Sequence, residues 1–390
     1  MKKGRGFAAT LLCCCSALAL FSCAYRGYEI MTEPPVEYTT QRLVFLGEDL
    51  PMPVAEVEFT QWIPAPPSET APPAAASQWP GVTQGATAGP VTAPREPEPG
   101  GARYYTGISI LPPAIAELRA FLETHPAAEL EYDGGGALSA ASKQGALNVV
   151  NSIRYIAGVP ANVVWDDGSS NIAEAAAAIM VATGQVTHTP RKPADWPEAS
   201  YRLAYQGCQG SNLAGLGTKY DIINRSMRLF LADADASNLK ELGHRRWLLN
   251  PALGKSAIAA IGAYCAMTVT DNSNTQAGAQ HSVVMYPGQV TPVEYFDGGW
   301  AWSVSFSAAY SVHGASVTVM RRGDGAAWQF GGGAADGDFS VSTHAYGQPG
   351  CVIFRPRGLQ IQAGEIYDVQ ITGVTKNGAD WPVRYTVQFL

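Results

Sequence analysis

The sequence predicts an α+β fold in which a helical region is followed by a β region, and two observations predict it. Apolar residues recur at helical spacing in four segments before residue 240, and from residue 257 onward the apolar pattern turns into alternation. Runs of helices followed by runs of strands are typical of α+β architectures. With 390 residues, of which 46% are hydrophobic, the chain is long enough for two domains of ordinary size.

The first 22 residues have the pattern of a signal peptide. Lys2, Lys3 and Arg5 precede an apolar run of 16 residues, which is too short to span a bilayer comfortably. The run ends in Leu20-Phe21-Ser22-Cys23, which resembles the bacterial lipobox, whose cysteine thiol receives diacylglycerol before cleavage. We therefore expect a lipoprotein anchored to the membrane through Cys23 on the extracytoplasmic face, at the cell surface or in the periplasm. The alternative is an ordinary signal peptide cut near Ser22.

Residues 23–103 are predicted to form a disordered, extended stalk. Ten prolines lie between Pro64 and Pro99, and the gaps are filled by alanine, threonine, glycine and serine. The formal net charge of −7 becomes −10 when the basic residues of the signal peptide are removed. A surface of this charge excludes nucleic acid as a partner.

The ordered part is predicted to begin near Tyr104, and each element follows from its periodicity. Four amphipathic helices are expected, the third of them capped by Ser170, over residues 113–122, 139–157, 171–183 and 220–232. Residues 257–269 and 281–286 have β-like patterns. We place these elements in one unit, residues 104–290, in which the first helix is an extension docked on the rest.

Residues 291–390 are predicted to be a small all-β, Ig-like sandwich. Alternating segments end in Val319, Ile371 and Phe389, and glycine-rich turn signals separate them. One turn carries Arg322-Gly323-Asp324, a tripeptide also found in adhesion motifs. We interpret it as a hairpin turn, because Asp-Gly between two strands is first a turn signal.

The middle of the chain resembles a known family. The pieces occur in the order Leu147-Asn148, Arg154-Tyr155-Ile156-Ala157-Gly158, Trp165-Asp166, Thr187-His188-Thr189-Pro190, Ser211-Asn212-Leu213 and Gly243-His244-Arg245-Arg246-Trp247-Leu248-Leu249-Asn250-Pro251. This order is similar to that of the CAP superfamily (cysteine-rich secretory proteins, antigen 5 and pathogenesis-related 1; the SCP domain), and most similar to its bacterial extracellular branch. The resemblance covers residues 137 to 287.

The resemblance implies an α-β-α sandwich whose central cleft holds two histidines and usually two acidic residues. His188 and His244 match the two histidines. Ser211, before Asn212, stands where many members have an acid, and Asp233 or Asp235 is the nearest candidate for the second acid. Two imidazoles without a carboxylate would hold Zn²⁺ weakly. Alternatively, His188 hydrogen-bonds loop backbone and His244 stabilises a helix end.

Cysteine counting predicts at most one disulfide in the mature chain. Cys208, Cys265 and Cys351 remain once the signal peptide and the lipid-carrying Cys23 are set aside. We expect a Cys208–Cys265 bridge, since both lie in the CAP-like region of an exported chain, and a buried free thiol at Cys351. The cysteines and histidines lack the spacing of a structural zinc site.

Two classes of function remain after the common catalytic motifs are excluded. The sequence contains no Gly-x-Ser-x-Gly, HExxH or Walker A motif. Arg245 and Arg246 are predicted to pack a helix end, with an anionic ligand as the alternative. The favoured class is a non-enzymatic surface protein that binds a small ligand, a cation or an envelope component. The alternative is a peptidase-like hydrolase with His188 or His244 as general base and Ser211 as the nucleophile to consider.

Overall fold

The computed structural model describes residues 105–127, 129–130, 137–217, 219 and 221–390, and this part of the chain has an α+β fold. The predicted signal peptide, the lipidation site Cys23 and the stalk lie outside the described residues. The helices of the described part are α1 (Ile115–Thr124), α2 (Ala140–Ile156), α3 (Asp167–Thr183), α4 (Glu198–Gln209), α5 (Ile222–Ala232) and α6 (Gly243–Leu248).

Five sheets are formed by the described strands. The strands are β1 (Val164–Trp165), β2 (Ser211–Gly215), β3 (Lys255–Ser256), β4 (Ile258–Ile261), β5 (Tyr264–Thr268), β6 (Val283–Tyr286), β7 (Val290–Thr291), β8 (Trp302–Phe306), β9 (Tyr310–Ser311), β10 (Ser316–Arg321), β11 (Ala327–Gly331), β12 (Ala334–Ala335), β13 (Gly337–Ser342), β14 (Gly350–Pro356), β15 (Ile366–Thr372), β16 (Thr375–Lys376), β17 (Ala379–Asp380) and β18 (Val383–Phe389).

Local sequence explains where the helices begin and end. Ser139 caps α2 by accepting a hydrogen bond from the Ser142 backbone N–H. α3 begins four residues before the predicted start, because Asp166 rather than Ser170 caps it through the backbone N–H of Gly168. Gly184 ends α3 in the left-handed conformation at φ 65°, which glycine adopts without steric cost. Among the described residues, no helix is long and apolar enough to cross a bilayer.

The antiparallel sheet β2-β5-β4 separates two apolar clusters. On one face, Leu213, Ala259 and Ala266 pack with the alanines of α3 and with α4. On the other face, Cys265 and Met267 join a cluster that includes buried residues of α2 and α5. The alternation of side chains along a strand explains why neighbouring residues enter different clusters.

α3 and α4 approach each other closely because their contact consists of small residues. Ala173, Ala176 and Ala177 are buried on α3, and they meet Ala204 and Gly207 of α4. A Cβ atom at Gly207 would lie 2.3 Å from the backbone oxygen of Ile172. This position therefore has no room for any side chain.

In the C-terminal part, a six-stranded sheet and a four-stranded sheet pack face to face. Their orders are β12-β11-β10-β15-β18-β7 and β13-β14-β8-β6. Trp302 of the four-stranded sheet contacts two rings of the other sheet, Tyr367 at 5.6 Å and Phe389 at 6.1 Å between ring centroids. These wholly buried aromatic side chains form the centre of the contact between the sheets.

The predicted boundary at residue 290 separates strands that pair with each other. Residue 290 falls within β7, and β6, which is predicted to belong to the first unit, pairs with β8 in the four-stranded sheet. At the other end, the backbone of Thr106 exchanges two hydrogen bonds with Arg384 on β18. α1 itself packs on α2, where the rings of Phe121 and Tyr155 stack at 4.0 Å. The periodicity of a segment reports its conformation and not the sheet it joins.

Candidate functional site

The imidazoles of His188 and His244 lie face to face. Their ring centroids are 6.4 Å apart and the ring planes are inclined by 30°. His188 is on the connection between α3 and α4, and His244 is the second residue of α6. The structure therefore brings together two side chains that are 56 residues apart, as the sequence predicts. His188 is exposed as a residue, but its imidazole is partly buried, and the side chain of His244 retains 19% of its exposure.

Both imidazoles are held by the same ring atom, Nδ1. His188 Nδ1 lies 2.6 Å from the carbonyl oxygen of Cys208, and His244 Nδ1 lies 2.7 Å from Oδ1 of Asp233. A carbonyl or a carboxylate oxygen accepts, so each Nδ1–H donates. The second nitrogen, Nε2, then carries the lone pair of the neutral ring. This is the tautomer found in metal-bound histidines, whose orientation is set by such a hydrogen bond.

The two histidines differ in their electrostatic surroundings. Loss of hydration is the largest influence on His188 and lowers its pKa, an effect that the neighbouring His244 reinforces. Loss of hydration acts in the same direction on His244, but the hydrogen bond and charge of Asp233, with the charge of Asp235, outweigh it and raise the pKa. Between these two pKa values, His244 carries a proton while His188 is neutral.

Asp233, and not Asp235, is the carboxylate that contacts the histidine pair. The Asp233 side chain is 1% exposed, and its second oxygen accepts a hydrogen bond from the backbone N–H of Arg245 at 3.2 Å. The carboxylate of Asp235 instead caps the following turn, where it accepts from the backbone N–H groups of Ser237 and Asn238. The sequence left these two candidates open because they are only two positions apart.

Ser211 and Asn212 point to opposite faces of the sheet. Asn212 donates from Nδ2 to the carbonyl oxygen of His244 at 2.9 Å and so helps to fix α6. Ser211 lies on the side of Leu213, and its buried hydroxyl has no hydrogen-bond partner among the described residues. The structure therefore shows no Ser211–histidine hydrogen bond of the kind that activates a nucleophile.

A metal ion at the histidine pair would have two imidazole nitrogens as ligands. In the described part of the chain, no group of three or more histidine, cysteine, aspartate or glutamate side chains is arranged to hold a metal ion. A Zn²⁺ ion bound to the two Nε2 atoms would complete its tetrahedral coordination with water or with a ligand. Two imidazole nitrogens without a carboxylate are the donor set of an open, weak site.

The predicted Cys208–Cys265 disulfide is wrong. Both cysteines are free and buried. Cys208 belongs to the cluster around α3 and α4, whereas Cys265 belongs to the cluster on the opposite face of the β2-β5-β4 sheet. A bridge would have to pass through the sheet. Cys351 is a buried free thiol, as expected.

Arg245 and Arg246 pack inside the protein and leave no guanidinium for an anionic ligand. Arg245 is 0% exposed and donates to backbone oxygens on α5 and before β8. Arg246 donates to the hydroxyl of Ser342 and to the carbonyl oxygens of His344 and Gln348. The packing interpretation holds, but the contacts reach the C-terminal sheets and not only the helix end.

The Arg322-Gly323-Asp324 turn is also occupied by internal contacts. Arg322 pairs with both carboxylate oxygens of Asp368, at 2.9 and 2.8 Å, and Asp324 pairs with Arg321. Asp324 therefore stabilises the β10–β11 turn, and Arg322 connects this turn to β15.

Two contributions to the site have no sequence signal. The partner of His188 is a main-chain carbonyl, which every residue possesses, so nothing in the sequence singles out Cys208 for this contact. The placement of Asp233 depends on a left-handed backbone conformation, φ 45°, which is uncommon for a residue other than glycine.

Comparisons with family models, with curated proteins and with solved structures find no match to this chain.

Proposed function

We propose that this protein is a bacterial cell-envelope lipoprotein whose CAP/SCP-type domain binds a small ligand or a divalent cation through His188 and His244. The binding region would be an α-β-α sandwich, followed by an Ig-like sandwich. The order of the sequence motifs supports this assignment, and the helices on both faces of the β2-β5-β4 sheet are compatible with it. The Cys23 anchor would attach the protein to the membrane, and the stalk would extend the binding domain toward an envelope component.

The observation that carries the binding proposal is the arrangement of the two imidazoles. Each ring is fixed through Nδ1, so each Nε2 is available, and the rings are 6.4 Å apart. Fixed imidazoles lose little conformational freedom when a shared ion or ligand group binds. The neutral state of His188 at neutral pH favours the same use.

Zn²⁺ binding measured by calorimetry tests this proposal. We expect one weak site in the wild type and a loss of at least about tenfold in affinity in His188→Ala and in His244→Ala. Affinity should fall as the pH is lowered, first through His244, because its raised pKa makes the proton a stronger competitor there. The matched control is His313→Ala, an exposed histidine of the C-terminal part, which should bind as the wild type does. Equal affinity in all four proteins would refute the site.

The lipid anchor has a separate test. Labelled palmitate should enter the wild-type protein in bacterial cells and should be absent from Cys23→Ala, because the thiol is the acceptor of the lipid. A Cys14→Ala variant is the control, since that cysteine lies within the predicted signal peptide. If Cys23→Ala is labelled as strongly as the wild type, Cys23 is not the lipid acceptor, and absence of label from both proteins would favour an ordinary signal peptide.

Hydrolysis is the less favoured function. The Asp233–His244 pair has the carboxylate–imidazole arrangement of a general base. A nucleophile is not placed beside it, because the hydroxyl of Ser211 lies on the other face of the sheet and makes no hydrogen bond to either imidazole. A binding function therefore accounts for the arrangement without the nucleophile that hydrolysis would require.

A further inference from the structure

Arg245 connects three separate segments around the histidine pair. Its Nε donates to the carbonyl oxygen of Leu231 at 2.5 Å and its Nη2 to that of Ala232 at 3.1 Å, both at the end of α5. Its Nη1 donates to the carbonyl oxygen of Ala301 at 2.5 Å and to the hydroxyl of Ser303 at 3.2 Å, where β8 begins. Its own backbone lies on α6, next to His244.

The contacts of Arg245 fix Asp233 both at the backbone that precedes it and at its carboxylate. Asp233 directly follows Ala232, and its backbone is in the left-handed conformation at φ 45°, which is unfavourable for a residue other than glycine and persists only where the surroundings enforce it. The guanidinium of Arg245 holds the two carbonyl groups that precede this turn, and the backbone N–H of Arg245 holds the Asp233 carboxylate. The other carboxylate oxygen is thereby directed at His244 Nδ1.

The guanidinium geometry is essential to this arrangement. Four acceptors are contacted in three directions, which the planar fork of an arginine allows and the single ammonium of a lysine does not. The acceptors are neutral, and burial lowers the pKa of Arg245 to about 10, so the side chain remains charged at neutral pH. Tyr286 lies beneath the guanidinium, 5.4 Å from the ring centroid.

We propose that Arg245 is the positioning residue of the Asp233–His244 pair and that it makes the orientation of His244 depend on the placement of β8. The inference rests on the proposed function only for its binding readout. The orientation of His244 can be measured without any ligand.

Arg154 provides a matched control for a purely structural arginine. It is also 0% exposed, and its guanidinium donates to four backbone carbonyls, those of Pro160, Leu248, Asn250 and Leu253. It reaches the end of α6 but has no hydrogen bond to α5 or to Asp233. Arg154→Lys and Arg245→Lys should therefore cost comparable stability, while only the second should disturb Asp233.

The test uses the full chain with ¹⁵N-labelled histidine, free of metal. The Nδ1–H proton of His244 should give a downfield resonance, identified by its loss in Asp233→Asn. We expect this resonance to persist in Arg154→Lys and to disappear or move strongly in Arg245→Lys, at a temperature where circular dichroism shows both proteins folded. Zn²⁺ affinity should fall about tenfold in Arg245→Lys and should be nearly unchanged in Arg154→Lys.

An unchanged His244 resonance in folded Arg245→Lys would reduce Arg245 to a packing residue and overturn the inference. If Arg245→Lys does not fold, Ser303→Ala removes only the hydroxyl contact at β8, and a shift of the same resonance is then expected. No shift in that variant contradicts the dependence on β8. If wild-type protein shows the resonance but binds no Zn²⁺, the proposed cation binding fails. The resonance in Arg245→Lys still tests the positioning role of Arg245.

Discussion

A chain that ends at residue 290 is expected not to fold cooperatively. It would lack β8, so β6 would lose its partner in the four-stranded sheet. Arg245 and Arg246 would lose their contacts to Ser303, Ser342 and Gln348. Leaving a buried charge without its partners costs about 3–5 kcal/mol, and the total stability of a domain is only about 5–15 kcal/mol.

The cooperativity of folding is measured by denaturant unfolding followed by circular dichroism. The control is a chain that begins at residue 105, which keeps every described contact and should unfold in one sharp transition. A sharp transition in the chain ending at residue 290 would show that the helical region is an independent domain, as the sequence predicts, and that the contacts of Arg245 and Arg246 are dispensable.

The substitution Gly207→Val is expected to separate α3 from α4. A Cβ atom at this position would lie 2.3 Å from the Ile172 oxygen and 3.0 Å from the Ala176 Cβ, and the valine adds two further methyl groups. Backbone atoms cannot rotate away, so the helices must move apart. Overpacking of this kind costs about 3 kcal/mol.

Equilibrium denaturation of Gly207→Val and of a control variant measures the loss in the free energy of unfolding. Gly323→Val makes the same chemical change in a turn where a Cβ atom would meet nothing within 4 Å. We expect the free energy of unfolding of Gly323→Val to stay within about 1 kcal/mol of the wild-type value. Similar losses in the two variants would mean that the close approach at Gly207 does not limit stability.

The elements that the sequence predicted are those with a broad apolar stripe. α2 and α5 lie in two of the four segments predicted to be helical, and they bury apolar residues such as Val150, Ile153 and Met227. α4 was not predicted, and its buried residues are the small Ala204, Gly207 and Cys208. α6 was missed because six residues are too few to show a period.

The site was predicted in outline and corrected in its details. The resemblance placed His188 and His244 together, and their rings do meet. It could not choose between Asp233 and Asp235, since that choice depends on a backbone turn. It also grouped Ser211 with Asn212, which strand alternation separates. Composition and spacing carry no information on which face of a sheet a later helix covers.

The reactivity of the three buried cysteines of the described part measures local opening of the fold. Cys208 lies on the face of α4 that packs against α3, Cys265 lies on the sheet face toward α5, and Cys351 lies on β14 in a cluster with Leu242. Burial raises the pKa of Cys208 and of Cys265 to about 12, so alkylating reagents meet almost no thiolate while the protein is closed. Each thiol therefore reacts only when its own layer opens. Equal labelling rates at the three positions define one cooperative unit, and unequal rates order the layers by the free energy of their fluctuations.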